Sequence, residues 1–251
     1  MNTSIIARKS IENRLRKAMS NSQVGTYKFE AFPFHLDVRG KLSMGVLGKH
    51  LLNCADAYAA ERGFDVVEQG GEHYTWVLSR LAIELEDLPS CHESFSIQTW
   101  VENVYRLFAD RNFVICNKDE KPIGYVRSVW AIISMETRNP ANLLDLHGDR
   151  ITNSICEKEC PIAKPGRIIR PGLAINGHVN SIKYIEHILD IFPLDIYKKK
   201  ALKRFEIAYV AESYYGDTLS FYLEEKNENE YDIEVRKSST EVVVRSKVIF
   251  K

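Results

Sequence analysis

The 251-residue sequence lacks an excess of charge of either sign. Thirty-four Lys and Arg residues balance thirty-four Asp and Glu residues, which gives a formal net charge of zero. A protein that holds nucleic acid through its overall charge carries a basic excess, so we expect no nucleic-acid partner. No stretch approaches the roughly 20 apolar residues of a membrane-spanning helix, so we expect no membrane span. The remaining composition, 45% hydrophobic and 27% charged, is typical of a globular protein.

Cysteines are few and irregularly placed. The five present form an odd number, which argues against a disulfide framework. Cys156 and Cys160 lie near His147 in the sequence, but a zinc site normally combines two ligand pairs at tighter spacing. We therefore predict no metal site, and reduced thiols in a cytoplasmic protein. Residues 1–24 are basic and lack the apolar core of a secretory signal, so we expect them to form a poorly ordered leader.

Motifs for nucleotide binding and for serine hydrolases are also missing. The sequence contains neither a Gly-rich dinucleotide fingerprint nor a phosphate-binding loop, so no nucleotide cofactor is implied. It contains no G-x-S-x-G nucleophile elbow, which argues against a serine hydrolase. We predict that the protein uses no cofactor.

The same order of elements occurs twice along the chain. In residues 25–138, the patterns predict a strand at 26–35, a helix at 46–62 ended by Gly63, and strands at 76–85, 94–101, 111–116 and 123–135. Residues 139–165 lose this pattern and are interpreted as a linker. In residues 166–251, the patterns predict a strand at 167–170, a helix at 180–192, and strands at 204–212, 218–224, 231–236 and 241–250.

This duplication predicts an α+β fold. A helix followed by an antiparallel meander packs as a sheet wrapped around that helix. One such unit leaves sheet edges open to pairing, and two units in one chain can join their edges. We therefore expect a double hot-dog, with one continuous sheet around two helices.

The run LAINGHVN, residues 173–180, leads into the second predicted helix. Free backbone N–H groups and the dipole at a helix N-terminus favour negative charge, so a carbonyl placed there can be polarised and an oxyanion held. Asn176 has an amide donor and an acceptor, and His178 titrates near neutral pH. Purely structural roles are the alternatives: Asn176 and Gly177 could form a hairpin turn, Asn180 could cap the helix, and His178 could be a hydrogen-bonded structural residue.

The longer run NGHVNSIKYIEHIL resembles the N-x-H-V-N-x-x-K-Y-I signature of the acyl-acyl-carrier-protein (acyl-ACP) thioesterases. The pieces WAIISMETR and FEIAYVAESYYGDTLSF are similar to two further segments of that family. The resemblance extends from about residue 27 to the C-terminus, and the Asn–His run is its most specific part. The family's fold is a double hot-dog, in agreement with the duplication.

The resemblance implies three catalytic residues, Asn176, His178 and Glu212. Glu212 would act as general base on a water, His178 would orient or polarise, and Asn176 would hold the carbonyl or the water. Replacing Glu212 with Ala should then lower the turnover rate by roughly 10²–10⁴-fold.

The resemblance also implies residues that position the substrate. Backbone N–H groups near Val179 and Asn180 would complete the oxyanion site. Ser213 occupies the position directly after the family's Glu, and in plant members this position is often Cys. One position departs from the family: an Asp commonly precedes the Asn by two residues, and this chain has Ala174 there.

The function implied by this resemblance is hydrolysis of fatty acyl-ACP, which releases a free fatty acid and terminates chain elongation. The first half would bind the acyl chain and the second half would perform hydrolysis. A non-catalytic acyl-binding hot-dog protein and a thioesterase acting on acyl-CoA remain alternatives. The acidic carrier protein would dock on a basic cluster after the second helix, formed by Lys198, Lys199, Lys200 and Arg204. A homodimer of this double unit is compatible with the way hot-dog units pair, although no feature of the sequence requires it.

Overall fold

The computed structural model describes residues 23–65, 67–166, 181–211, 213–214, 216–238 and 240–251. For Val67 and Glu68 it describes the backbone alone. The predicted leader, apart from its last two residues, and the strand predicted at 167–170 lie outside the described residues.

The first half contains one long helix and six strands. Its elements in chain order are β1 (Gly25–Glu30), a 3₁₀ turn (Pro33–His35), α1 (Met44–Arg62), β2 (Val67–Gln69), β3 (Glu72–Leu85), β4 (Ser94–Val104), β5 (Ala109–Cys116) and β6 (Pro122–Ser134). Two short helices follow, α2 (Leu143–His147) and α3 (Asp149–Thr152). The second half contains α4 (Ser181–Asp190), α5 (Leu194–Lys199), β7 (Leu202–Tyr209), β8 (Leu219–Asn227), β9 (Glu230–Lys237) and β10 (Glu241–Phe250).

The ten strands found in the described residues form one sheet, which confirms the predicted continuous sheet. The order is β1-β4-β5-β6-β3-β7-β10-β9-β8, with β2 paired to β3. The two halves join where β3 and β7 pair antiparallel, from Arg80 opposite Ala208 to Glu84 opposite Arg204. This junction removes one open edge from each half, as two joined hot-dog units require.

The helix α1 has a capping residue at each end, Ser43 and Gly63. The Ser43 hydroxyl accepts a hydrogen bond from the Val46 amide at 3.4 Å, which satisfies one of the free N–H groups of the first turn. At the other end Gly63 adopts a left-handed conformation with φ of 70° and donates to the carbonyls of the last turn. The predicted stop at Gly63 is confirmed, and the helix starts two residues earlier than predicted.

The two long helices cross at glycines. A Cβ atom built on Gly48 of α1 would lie 2.7 Å from Cδ1 of Ile182 in α4, and one on Gly45 would lie 2.3 Å from Glu186. The missing side chains therefore allow α4 to approach α1 closely. Both helices bury their apolar residues against the same face of the sheet, including Leu47, Leu51, Ile182, Ile185 and Ile188, all at most 2% exposed.

The segment predicted as a linker is ordered against the sheet. After α2 and α3, residues 155–166 form a strap across the face opposite the long helices. The Cys156 amide donates to the Val101 carbonyl at 2.9 Å, and the Gly166 amide donates to the Glu206 carboxylate at 3.1 Å. The strap thus runs from β4 in the first half to β7 in the second.

Apolar packing holds the middle of this strap. Cys160 and Ile162 are buried and form a cluster with Trp100, Val114 and Cys116. These three alternate along their strands with residues that face the helices, so they lie on the opposite face of the sheet.

Candidate functional site

The start of α4 is fixed by a tyrosine from β7. The Tyr209 hydroxyl donates to the backbone carbonyl of Ser181, the first residue of α4, at 2.8 Å. Burial raises the pKa of Tyr209 above its usual value, with a minor contribution from Tyr184, so the hydroxyl stays protonated and remains a donor. The first turn of the helix is therefore attached to the end of β7.

A second hydrogen bond joins α4 to the segment after β7. The hydroxyls of Tyr184 and Ser213 lie 2.5 Å apart, and both side chains are buried, at 3% and 0% exposure. The Tyr184 ring also contacts the Tyr209 ring edge-to-face, with 6.1 Å between centroids and an interplanar angle of 66°. Two bonded tyrosines in mutual contact thus connect the N-terminal half of α4 to β7 and its continuation.

Of the six candidate catalytic and substrate-positioning residues, five lie outside the described part of the chain. These are Asn176, His178, Val179, Asn180 and Glu212. The structure describes Ser213, which it places against Tyr184.

The residues that directly follow the candidates in sequence do lie in one place. Ser181 follows Asn180, and Ser213 follows Glu212. The tyrosines that bind Ser181 and Ser213 are in ring contact. Neither tyrosine was predicted to have a role, although Tyr184 belongs to the N-x-H-V-N-x-x-K-Y-I run that carries the resemblance.

The interior of the first half contains an arginine that the strand pattern did not single out. The Arg111 side chain is 6% exposed, its guanidinium carbon lies 4.6 Å from the centre of the Tyr58 ring, and it donates to the Thr99 hydroxyl at 3.4 Å. Burial lowers the pKa of Arg111 to about 10, so the group remains charged at neutral pH. The helix-facing side of the sheet in this half is therefore not uniformly apolar.

The basic residues after α4 differ in exposure. Lys198 and Lys199 are exposed on α5, and Lys198 pairs with Asp195 at 3.1 Å. The Lys200 ammonium donates to the Glu228 carbonyl at 2.5 Å. Two of these three lysines thus present their ammonium groups to solvent.

Arg204 differs from these lysines, because it joins the two halves of the sheet. Its side chain is only 11% exposed and pairs with Glu84 of β3 and with Glu206 of β7, the latter at 2.6 Å. The guanidinium also donates to the Ala163 carbonyl of the strap at 3.3 Å. These contacts favour a structural role for Arg204 at the β3–β7 junction.

A groove of about 520 Å³ lies on the outer face of the second half, between the strap and β7 to β10. Its charged side chains pair with one another, for example Glu234 with Arg236 at 2.5 Å and with Arg245 at 3.0 Å. The start of α4 lies on the opposite face of the sheet from this groove.

The described residues offer neither a grouped set of metal ligands nor a membrane-crossing helix. Within this part of the chain, no three His, Cys, Asp or Glu side chains are grouped so that they could hold a metal ion. None of its helices combines the length and apolarity needed to cross a membrane. All five cysteines are free thiols.

Comparison with known proteins places both halves in one family. Residues 23–148 match the acyl-ACP thioesterase N-terminal domain and residues 167–251 match its C-terminal domain. One solved structure, an acyl-ACP thioesterase from Bacteroides thetaiotaomicron, is 56% identical with a TM-score of 0.84, covering 92% of this chain and 99% of that one. The 12:0-ACP thioesterase from Umbellularia californica shares the fold, with a TM-score of 0.75 at 15% identity over 92% of this chain and 95% of that one.

Curated relatives are more distant and longer. The chloroplastic oleoyl-acyl carrier protein thioesterase of Coriandrum sativum is 24% identical over a 172-residue alignment, with coverage of 59% of this chain and 46% of that protein. The chain thus spans about half the length of this relative. The two domain matches cover both halves of the sheet. The 56%-identical structure matches nearly the whole length of this chain. The chain therefore belongs to the acyl-ACP thioesterase family.

Proposed function

We propose that this protein hydrolyses the thioester of a fatty acyl group carried by acyl carrier protein, releasing the free fatty acid and so ending chain elongation. The observation that carries the proposal is the junction at the start of α4. The described neighbours of both candidate segments, Ser181 and Ser213, are held there by touching tyrosines. The family of the chain and the resemblance of its Asn–His run support the same reaction.

Hydrolysis of a thioester requires few catalytic groups from the enzyme. Its thiol leaving group has a pKa near ~8.5, by analogy with Cys, so it needs little acid assistance. The remaining requirements are a positioned water and a stabilised oxyanion. In our proposal Glu212 removes a proton from the water and His178 orients it. Asn176 holds the carbonyl, and the backbone N–H groups of Val179 and Asn180 bind the developing oxyanion.

Ser213 has a positioning role in this proposal. Its hydroxyl is buried and bonded to Tyr184, so it fixes the residue that follows Glu212 in sequence. The nucleophile is the water, and no acyl-enzyme intermediate forms on this serine.

The carrier protein is proposed to dock beside α5. Lys198 and Lys199 would face its acidic surface, since complementary charge speeds and orients such encounters, whereas the Lys200 ammonium is held by the Glu228 carbonyl. Arg204 contributes to this docking surface only indirectly, because it supports the strand that follows α5.

We further propose a cytoplasmic location, in keeping with the free thiols. We include a homodimer as the alternative assembly to a monomer, and sedimentation velocity distinguishes the two.

The test is release of free thiol from a panel of acyl-ACP and acyl-CoA esters, with acyl chains of eight to eighteen carbons. The variants are His178→Ala and Glu212→Ala. The matched control is His187→Ala, because His187 is an exposed histidine of α4. We expect rapid release from carrier-protein esters, lowered roughly 10²–10⁴-fold by Glu212→Ala and unchanged in the control.

Two other outcomes would redirect the proposal. Acyl chains that bind without any thiol release would identify a non-catalytic acyl-binding protein, in which Ala174 marks a lost activity. Equal or faster release from acyl-CoA would identify a coenzyme A thioesterase and remove the docking role of the α5 lysines.

A further inference from the structure

Two tyrosines in ring contact, Tyr184 buried and Tyr209 part-buried, carry hydrogen-bonded hydroxyls near the start of α4, where apolar packing alone would not require a hydroxyl. A buried hydroxyl costs free energy unless it is hydrogen bonded, and a phenylalanine ring would fill nearly the same space. Here both hydroxyls are bonded, that of Tyr209 to the Ser181 carbonyl and that of Tyr184 to the Ser213 hydroxyl. Their contacts therefore fix positions as well as filling volume.

The opposite end of the same helix provides a comparison. The Tyr197 hydroxyl donates to the Leu189 carbonyl at 2.6 Å, near the C-terminus of α4. Burial raises the pKa of Tyr197, as it does for Tyr209. Each end of α4 is thus anchored by a tyrosine that donates to a helix carbonyl. The two ends differ in what adjoins them in sequence, since only the N-terminal end follows the Asn–His run.

From these contacts we infer that Tyr184 and Tyr209 are positioning residues of the thioesterase site. They hold the residues that follow the Asn–His run and Glu212 at a fixed separation. This inference rests on the proposed function. Neither tyrosine is assigned contact with the substrate: Tyr209 acts through Ser181, and Tyr184 acts through Ser213.

The size of the expected effect follows from how catalysis depends on alignment. A misplacement of about 1 Å between reacting groups can lower a rate by roughly 10²-fold. Removing one hydroxyl releases one of two bonds and leaves the ring contact in place. We therefore expect each single loss to lower kcat by roughly 10- to 100-fold, with KM changed less than about twofold because acyl-chain binding is proposed to lie in the first half.

The test compares Tyr184→Phe and Tyr209→Phe with the matched control Tyr197→Phe. All three substitutions remove one hydroxyl and keep the ring. The measurements are Tm, kcat and KM with a carrier-protein ester. We expect Tm to fall by similar amounts in Tyr209→Phe and Tyr197→Phe, whereas kcat falls only in Tyr184→Phe and Tyr209→Phe.

A double-mutant cycle tests the path through Ser213. If Tyr184 acts through this serine, then Tyr184→Phe combined with Ser213→Ala should lower kcat no further than either single variant. Losses that multiply would overturn this path.

The outcomes distinguish failure of the positioning role from failure of the proposed function. An active wild-type enzyme whose kcat falls equally in all three tyrosine variants overturns the positioning role and leaves the proposed function standing. A wild-type protein that releases no thiol from any ester overturns the proposed function and this inference with it. A kcat loss confined to Tyr184→Phe and Tyr209→Phe supports both.

Discussion

Replacing His147 with Phe should weaken the dependence of folding stability on pH between about pH 4 and 6.5. The His147 side chain is 2% exposed, and neither ring nitrogen has a hydrogen-bond partner among the described residues. The ring stacks on Trp76 with 5.7 Å between centroids and 5° between planes, and it lies edge-on to Phe64. An unpaired imidazole in these surroundings strongly favours the neutral form.

The magnitude follows from the pKa. Burial, followed by the nearby Arg150, lowers the pKa of His147 and Asp65 opposes them, which together bring the pKa to about 4. In the unfolded chain the pKa is ~6.5. Between these values the unfolded chain binds a proton that the folded chain does not, so stability falls as pH decreases from 6.5 toward 4. The gap corresponds to roughly 3 kcal/mol of stability lost near pH 4.

The phenylalanine variant keeps a ring against Trp76 and cannot titrate. Because it also removes two unpaired buried nitrogens, it should gain about 1–2 kcal/mol at pH 7. Urea denaturation at several pH values between 4.5 and 7.5 measures both effects. The control is His187→Phe, since His187 is exposed on α4. Parallel stability curves for the wild type and His147→Phe would refute the argument.

Three further predictions concern the junction, the docking surface and the helix crossing. Arg204→Met should destabilise the fold by about 2 kcal/mol in urea denaturation, because Glu84 loses its partner in a half-buried site; an unchanged midpoint would contradict the structural role. Lys199→Glu should raise KM for carrier-protein esters several-fold at low salt, with the difference disappearing at high salt and Tm unchanged. A KM insensitive to this charge would exclude docking there. Gly48→Ala should lower both stability and kcat, because overpacking against Ile182 costs roughly 1–3 kcal/mol and outweighs a helix-propensity gain of about 1 kcal/mol; a more stable, fully active variant would show that Ile182 can move.

Local patterns predicted most of the fold. The helix at 46–62 and its stop at Gly63 depend on spacing and capping within a few residues, and the structure has a helix at Met44–Arg62 with that cap. Strands were found within a few residues of their predicted bounds for the same reason. The first strand ends early, at Glu30 rather than residue 35, since the chain turns into a 3₁₀ segment at Pro33.

The strap could not be predicted in this way. Its hydrogen bonds join residues far apart in sequence, as when Arg127 donates to the Ile162 carbonyl at 3.1 Å. Such a segment has no periodicity of its own, because its conformation is imposed by the strands beneath it. The same holds for α5, whose six residues carry too short a pattern to be distinguished from a loop.

The candidate site shows the same division between local and distant information. A motif such as the Asn–His run is read from neighbouring residues, so its position before a helix was visible in the sequence. The role of Tyr209 was not, since its partner Ser181 lies 28 positions earlier. A tyrosine in a strand is ordinarily explained by packing, and only the bonded carbonyl distinguishes an anchor from a core residue.

The two long helices, α1 and α4, are held in the fold in different ways. In α1, glycines at positions 45 and 48 lack side chains that would collide with α4, so α4 can pack closely on this surface. In α4, by contrast, each end is held by a tyrosine hydroxyl from outside the helix. A helix that only closed a core would need its apolar face and its caps, but not two such anchors. Because only the N-terminal end of α4 follows the Asn–His run, the start of this helix is where we expect small displacements to matter, and the tyrosine variants measure that directly.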